Sequence, residues 1–134
     1  MTRPVAIVRA AVAALNAGDV DGYLRHIDPS CQRWVAGLDQ PIGVADIRTS
    51  IFQLREAFAD LFLHEDMLFG ADEHVCARWR MTGVHVRDYM GIAPQRRKID
   101  LPSCEIYAVT GAAITTVWTY GDPGQLVRQL GAAP

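Results

Sequence analysis

The stretch EHVCARWRMTGVHV, residues 73–86, decides how this chain folds. Apolar and polar side chains alternate along it, which is the period of a β-strand and not of a helix. On a regular strand Trp79, Met81, Gly83 and His85 share one face. Three more stretches on either side behave alike: LFLHEDMLFGAD (61–72), RKIDLPSCEIYAVTG (97–111) and AAITTVWTYGD (112–122), separated by Gly, Asp and Pro. No helical period interrupts these runs, so no crossover helices are at hand for parallel pairing. The reading is a curved antiparallel meander of about four to six strands.

Upstream of residue 60 the period is helical. In PVAIVRAAVAALNAGD (4–19), Val5, Val8, Val12 and Leu15 recur on one side, Pro4 suits a first turn, and the NAGD segment carries a Gly stop. DVDGYLRHI (19–27) gives a second, short helix from an Asp cap, ended by Asp-Pro-Ser. CQRWVAG (31–37) is a brief strand. Ile47, Ile51, Leu54 and Phe58 then mark a third helix, with the helical segments expected at 5–16 and 43–59. Helices followed by a meander give an α+β class, three N-terminal helices packed on one face of the sheet. Residues 1–134 form a single domain, with no internal repeat or linker.

Composition narrows the function. A net charge of −2 with dispersed Arg lacks the basic footprint of a nucleic-acid binder. No apolar run approaches the ~20 residues of a membrane span, and no secretion signal opens the chain, so a cytoplasmic location is expected. Cys31, Cys76 and Cys104 are odd in number and widely spaced, which argues for small buried hydrophobes over disulfides or zinc. His26, His64 and His74 lie on different elements without ligand spacing, and no Gly-rich dinucleotide fingerprint follows a strand; neither metal nor cofactor is expected.

The segments LNAGDVDGYL, GVADIR, AFADL, RWRMTGVHVRDYMGIAPQRRKI and VWTYGDPGQLVRQLG resemble the successive elements of the SnoaL-like polyketide cyclases, within the nuclear-transport-factor-like superfamily. The resemblance implies an α+β cone, commonly dimeric, around an apolar pocket. It also implies an acidic residue acting as base in a cofactor-free intramolecular aldol closure of a natural-product or antibiotic precursor. The position matching the family's acid is Asp122. Two departures stand out: Val117 replaces a frequent His before the tryptophan, and the loop reads GIAPQRR. Cofactor-free hydroxylases, epoxide hydrolases and binding modules share this superfamily, so they remain alternatives.

The residues also allow a reading of their own. Thr116, Trp118, Tyr120 and Asp122 fall on one face of a regular last strand, lining up an indole, a phenol and a carboxylate. Such a row suits a flat, hydrophobic small-molecule substrate, and desolvation by it would raise the Asp122 pKa into the range of a general base. The alternative is a core tryptophan and a solvated turn aspartate. His85 is either a second catalytic group or a hydrogen-bonded core histidine. Glu105 is a substrate contact or the partner of Arg78 or Arg80. Tyr23, Trp34 and Trp79 are candidate pocket walls or plain core. Apolar residues on both faces of 75–86 and 113–120 imply burial on both sides, hence a homodimer.

Overall fold

The computed structural model describes residues 2–131. Helix α1 (Arg3–Asn16) is capped by Thr2, whose hydroxyl accepts from the Val5 amide, and Pro4 occupies its first turn. It buries Val5, Val8, Ala11 and Val12, the spacing anticipated from the sequence. Helix α2 (Val20–Leu24) starts at Asp19, which accepts from the Gly22 amide. Strand β1 (Ile27–Val35) and helix α3 (Val44–Ala57) follow. α3 ends two residues short of the expected limit because Phe58 is already extended, with φ −123° and ψ 122°. Then come β2 (Phe58–Ala71), β3 (His74–His85), β4 (Lys98–Thr110), β5 (Ala113–Tyr120) and a short α4 (Pro123–Gln129).

The strands form one curved sheet in the order β1-β5-β4-β3-β2. From β2 to β5 it is the antiparallel meander the alternation predicts. β1 departs from that expectation by pairing parallel to β5 at the sheet edge. Its sequence position explains this: α3 and three strands separate β1 from β5, so no tight turn dictates an antiparallel return. β1 also starts earlier than read. Asp28, Pro29 and Ser30 belong to it and do not close the preceding helix; Pro29 is tolerated because the strand is an edge and its ladder is interrupted between Ile27 and Gln32. Pro102, within β4, lies beyond the last β5 rung at Cys104–Tyr120, so no ladder bond is lost on that side.

Curvature has local causes. The β2–β3 ladder slips between Ala59 and Phe62, where Asp60 takes φ 55°. Gly83 faces this bulge, and a Cβ there would stand 3.3 Å from the Ala59 carbonyl, tighter than ordinary packing. After β3 the chain makes a two-residue hairpin turn through Met90 and Gly91, both at positive φ, with Tyr89 and Ile92 exchanging backbone bonds.

Helices α1–α3 pack on one sheet face, burying Val75, Ala77, Trp79, Tyr107, Val109 and Val117. Each fully buried aliphatic of this kind contributes about 1.5–3 kcal/mol. A second cluster, Ala57, Phe58, Ile99 and Leu130, lies toward the far end of β3 and β4, where α4 docks. Gln129 fixes that docking: its side chain accepts from the Asp100 amide at 2.7 Å and donates to the Asp100 carbonyl at 2.9 Å.

Candidate functional site

Strand register sorts the predicted residues onto two faces. Trp79, Glu105 and Val117 belong to the face beneath the helices. Trp118 stands opposite Ile106 and Trp34 opposite Trp118, while Tyr120 stands opposite Cys104. Trp34, Trp118 and Tyr120 therefore lie on the outer face, away from the helices. The expected aromatic row exists, but it lines the outside of the cone. Alternation alone fixes which residues share a face, not which face is covered, and here Val117 and Tyr107 are the buried ones.

Beneath the helices a polar network runs through the core. Trp79 Nε1 donates to the Tyr107 hydroxyl at 2.9 Å, and that hydroxyl donates to Glu105 Oε1 at 2.7 Å. The other carboxylate oxygen accepts from Thr119 Oγ1 at 2.7 Å and faces Arg33 Nη2 at 3.4 Å. The Arg33 and Glu105 side chains retain 20% and 12% of their exposure, so solvent still reaches this pair. Tyr23, contributed by α2, is buried beside Arg33. Burial pushes the Tyr107 phenol well above its ordinary pKa, and the negative Glu105 adds to this. Tyr23 is raised chiefly by burial as well. For Arg33, burial is the largest single influence and opposes the charge, but Glu105 together with Tyr23, Tyr107 and Cys31 outweighs it and the pKa rises. Arg33 Nε is buried without a hydrogen-bond partner.

The pairing of Glu105 differs from the sequence reading. Arg78 and Arg80 point to the outer face, where they bind Asp66 and, for Arg80, Asp100. Arg33, Tyr107 and Thr119 complete the network and were not singled out in the sequence. Tyr107 and Glu105 share a strand face by simple alternation, but the contribution of β1 depends on its pairing with β5, for which no local pattern speaks.

Asp122 sits at the rim, past the end of β5, as the N-cap of α4. Its Oδ1 accepts from the Gly124 amide at 2.9 Å and its Oδ2 from Arg128 Nη2 at 2.8 Å. The carboxylate is exposed, and its pKa is lowered, first by the Arg128 hydrogen bond and then by the Gly124 amide. The expected upward shift is thus reversed: the strand ends at Tyr120, its alternation does not extend to Asp122, and a guanidinium replaces the aromatic wall.

His85 is fully buried, with neither ring nitrogen hydrogen-bonded, and stacks on Phe58 at 5.2 Å. Asp122 caps the start of α4, and Leu130, which caps its end, packs in the cluster containing Phe58. A cleft of about 520 Å³ lies between the end of α3 and the segment after β3, lined by Gln53, Glu56, Arg87, Asp88, Tyr89 and Met90. Among the described residues no three His, Cys, Asp or Glu side chains gather to hold a metal ion, and no helix is long and apolar enough to cross a membrane.

Solved structures share this architecture. AclR of Streptomyces galilaeus, a candidate hydroxylase, superposes with a TM-score of 0.89 at 23% identity over 98% of this chain and 97% of its own. IdmH of Streptomyces antibioticus, a candidate polyketide cyclase, gives 0.85 at 19% identity over 98% and 100%. TsrD of Streptomyces laurentii gives 0.83 at 23% over 99% of both chains. At these identities the likeness establishes the fold alone. Among curated proteins, none matches the chain in sequence. The sequence profile of one family does match, across residues 5–130, and by it this chain belongs to the SnoaL-like polyketide cyclases.

Proposed function

We propose that the protein closes a ring within a polyketide-like small molecule by cofactor-free acid–base chemistry, with Asp122 as the base. The carrying observation is a carboxylate held ionised at the rim by Arg128 and the first turn of α4. Asp122 removes a proton from a carbon flanked by carbonyls. The resulting enolate attacks a ketone of the same molecule, and the alkoxide so formed takes the proton back. Arg128 has two positions in this scheme. At rest it neutralises Asp122; with substrate bound it turns to the enolate oxygen, leaving a carboxylate without its counter-ion and therefore more basic.

The buried network supplies orientation. Glu105 is held by two hydroxyl donors and the Arg33 charge, and the unpartnered Arg33 Nε–H offers a hydrogen bond to a substrate oxygen. Tyr23 and Trp79 wall the same space. His85, buried with two unpartnered ring nitrogens, is the second proton-transfer group in this scheme. Likeness to a candidate hydroxylase favours one further reading, in which the carbon of the same enolate bonds to dioxygen, with a proton, to give a hydroperoxide in place of attacking a ketone; the added mass of one dioxygen separates the two.

Asp122→Asn keeps the cap geometry and removes the base. Ring closure of an aromatic β-keto ester bearing a pendant ketone, followed by liquid chromatography and mass spectrometry, is expected to fall by about 10²–10⁴-fold. Quenching of tryptophan fluorescence by the same compound stays unchanged. Turnover at the wild-type rate would remove Asp122 from the mechanism and leave a binding protein.

A further inference from the structure

On the outer face of the sheet, Cys76 stands opposite Ile106, and Arg78 opposite Cys104, so the two cysteines are diagonal neighbours on adjacent antiparallel strands. Their Sγ atoms lie 3.8 Å apart, and both residues are partly exposed. The third cysteine, Cys31, is buried in the main core. We infer that Cys76 and Cys104 form a modification site, a cross-strand dithiol that a small disulfide oxidant such as oxidised glutathione closes into a bridge between β3 and β4.

Three physical features carry this. The ladder on both sides of the pair holds the sulfurs in contact, so the second step of bridge formation competes well with outside thiols. Diagonal strand neighbours are spaced somewhat wider than a relaxed disulfide prefers, about 7–8 Å against 5.5–6 Å between Cα atoms. Closure therefore draws the two strands together locally. The residue next to Cys104 is Glu105, whose side chain holds Arg33, Tyr107 and Thr119 on the opposite face, so the bridge is transmitted to the buried network.

The chemistry balances through two exchanges. One cysteine thiolate attacks oxidised glutathione, forming a mixed disulfide and expelling one glutathione thiolate. The other cysteine thiolate attacks the protein sulfur of that adduct, forming the Cys76–Cys104 bond and expelling the second glutathione. Two S–H bonds are lost, one S–S bond forms, and one oxidised glutathione becomes two reduced molecules. The Cys104 thiol is held above its ordinary pKa by burial and by its contact with Cys76, so the reaction accelerates as pH rises.

The folded protein, diluted below any self-association, is incubated with oxidised glutathione, quenched in acid and analysed by intact mass and peptide mapping. The expected result is the loss of two hydrogens, with the peptides containing Cys76 and Cys104 linked. Cys76→Ser and Cys104→Ser each abolish that loss and accumulate a glutathione adduct on the remaining thiol, while Cys31→Ala retains it. Stable adducts on the wild-type pair without closure, a bridge involving Cys31, a bridge between two chains, or no reaction would each overturn the assignment.

Discussion

At the scale of single residues, Asp122 shows how a neighbour sets a carboxylate's chemistry. Arg128 lowers its pKa below the ordinary 3.8, so the group remains ionised further into acid than a free aspartate. Any stability tied to this shift is present above the ordinary pKa and is lost as pH falls through the lowered value; for so exposed a group it is small. The acid limb of the kcat/KM profile, which reports the free enzyme, is therefore expected below 3.8. Arg128→Met removes the largest cause and moves the limb upward, which a carboxyl-carbon NMR titration of Asp122 checks directly. An Asp122 resonance that titrates identically in both proteins would break the link. That a carboxylate, Asp122, follows the last strand at a Pro-Gly turn was legible in the sequence. Its environment was not, because the partner is supplied by a turn of helix whose direction depends on where α4 docks.

At the scale of elements, the Arg33–Glu105 pair ties β1 to β4 across β5, and Thr119 of β5 binds the same carboxylate. Glu105→Gln leaves the Arg33 charge without its counter-ion in a mostly buried setting, a change that costs about 3–5 kcal/mol in comparable pairs. Urea unfolding measures it, and the double variant Arg33→Met/Glu105→Gln is expected to cost less than the sum of the singles. Full additivity would show that the two side chains do not act together. Periods made the elements readable: α1 and β2 to β5 follow their apolar spacing. β1 was only partly readable, since Asp-Pro-Ser carries turn residues that an edge strand also accepts. Faces were less readable still. Trp118 and Val117 are neighbours in an apolar strand, and only helix packing on the Val117 side tells which one is covered.

At the scale of the whole molecule, the outer sheet face carries Trp34, Phe62, Met67, Phe69 and Tyr120, each at least 40% exposed. Large exposed apolar patches mark association surfaces. We propose a second copy of this chain as the occupant, which gives the outer aromatic row a role in assembly in place of substrate contact. Light scattering at micromolar concentration is expected to give a dimer for the wild type and a monomer for Phe69→Asp/Tyr120→Asp. A monomeric wild type would remove the proposal. The Cys76–Cys104 pair shares this face, so its oxidation should slow as protein concentration rises through the dimerisation range. α+β class, helix-on-sheet layering and the antiparallel core of the sheet were all legible from periods. The parallel edge was not, because strand order is set by long-range packing and leaves no trace in local spacing.

The parallel pairing of β1 with β5 also bears on the order in which the fold is built. β2 to β5 pair with their sequence neighbours and can zip up one after another, β2–β3 and β4–β5 across two-residue turns and β3–β4 across the longer segment 86–97. β1 has no such shortcut: its register partners, from Ile27 with Ile114 to Val35 with Thr119, lie at opposite ends of the chain, and the entropy of closing that span must be met before any of its rungs forms. During synthesis β1 emerges early and then waits, its edge unpaired, until β5 has been made. The Arg33–Glu105 contact is consequently among the last formed, so Glu105→Gln is expected to quicken unfolding while leaving the refolding rate nearly untouched.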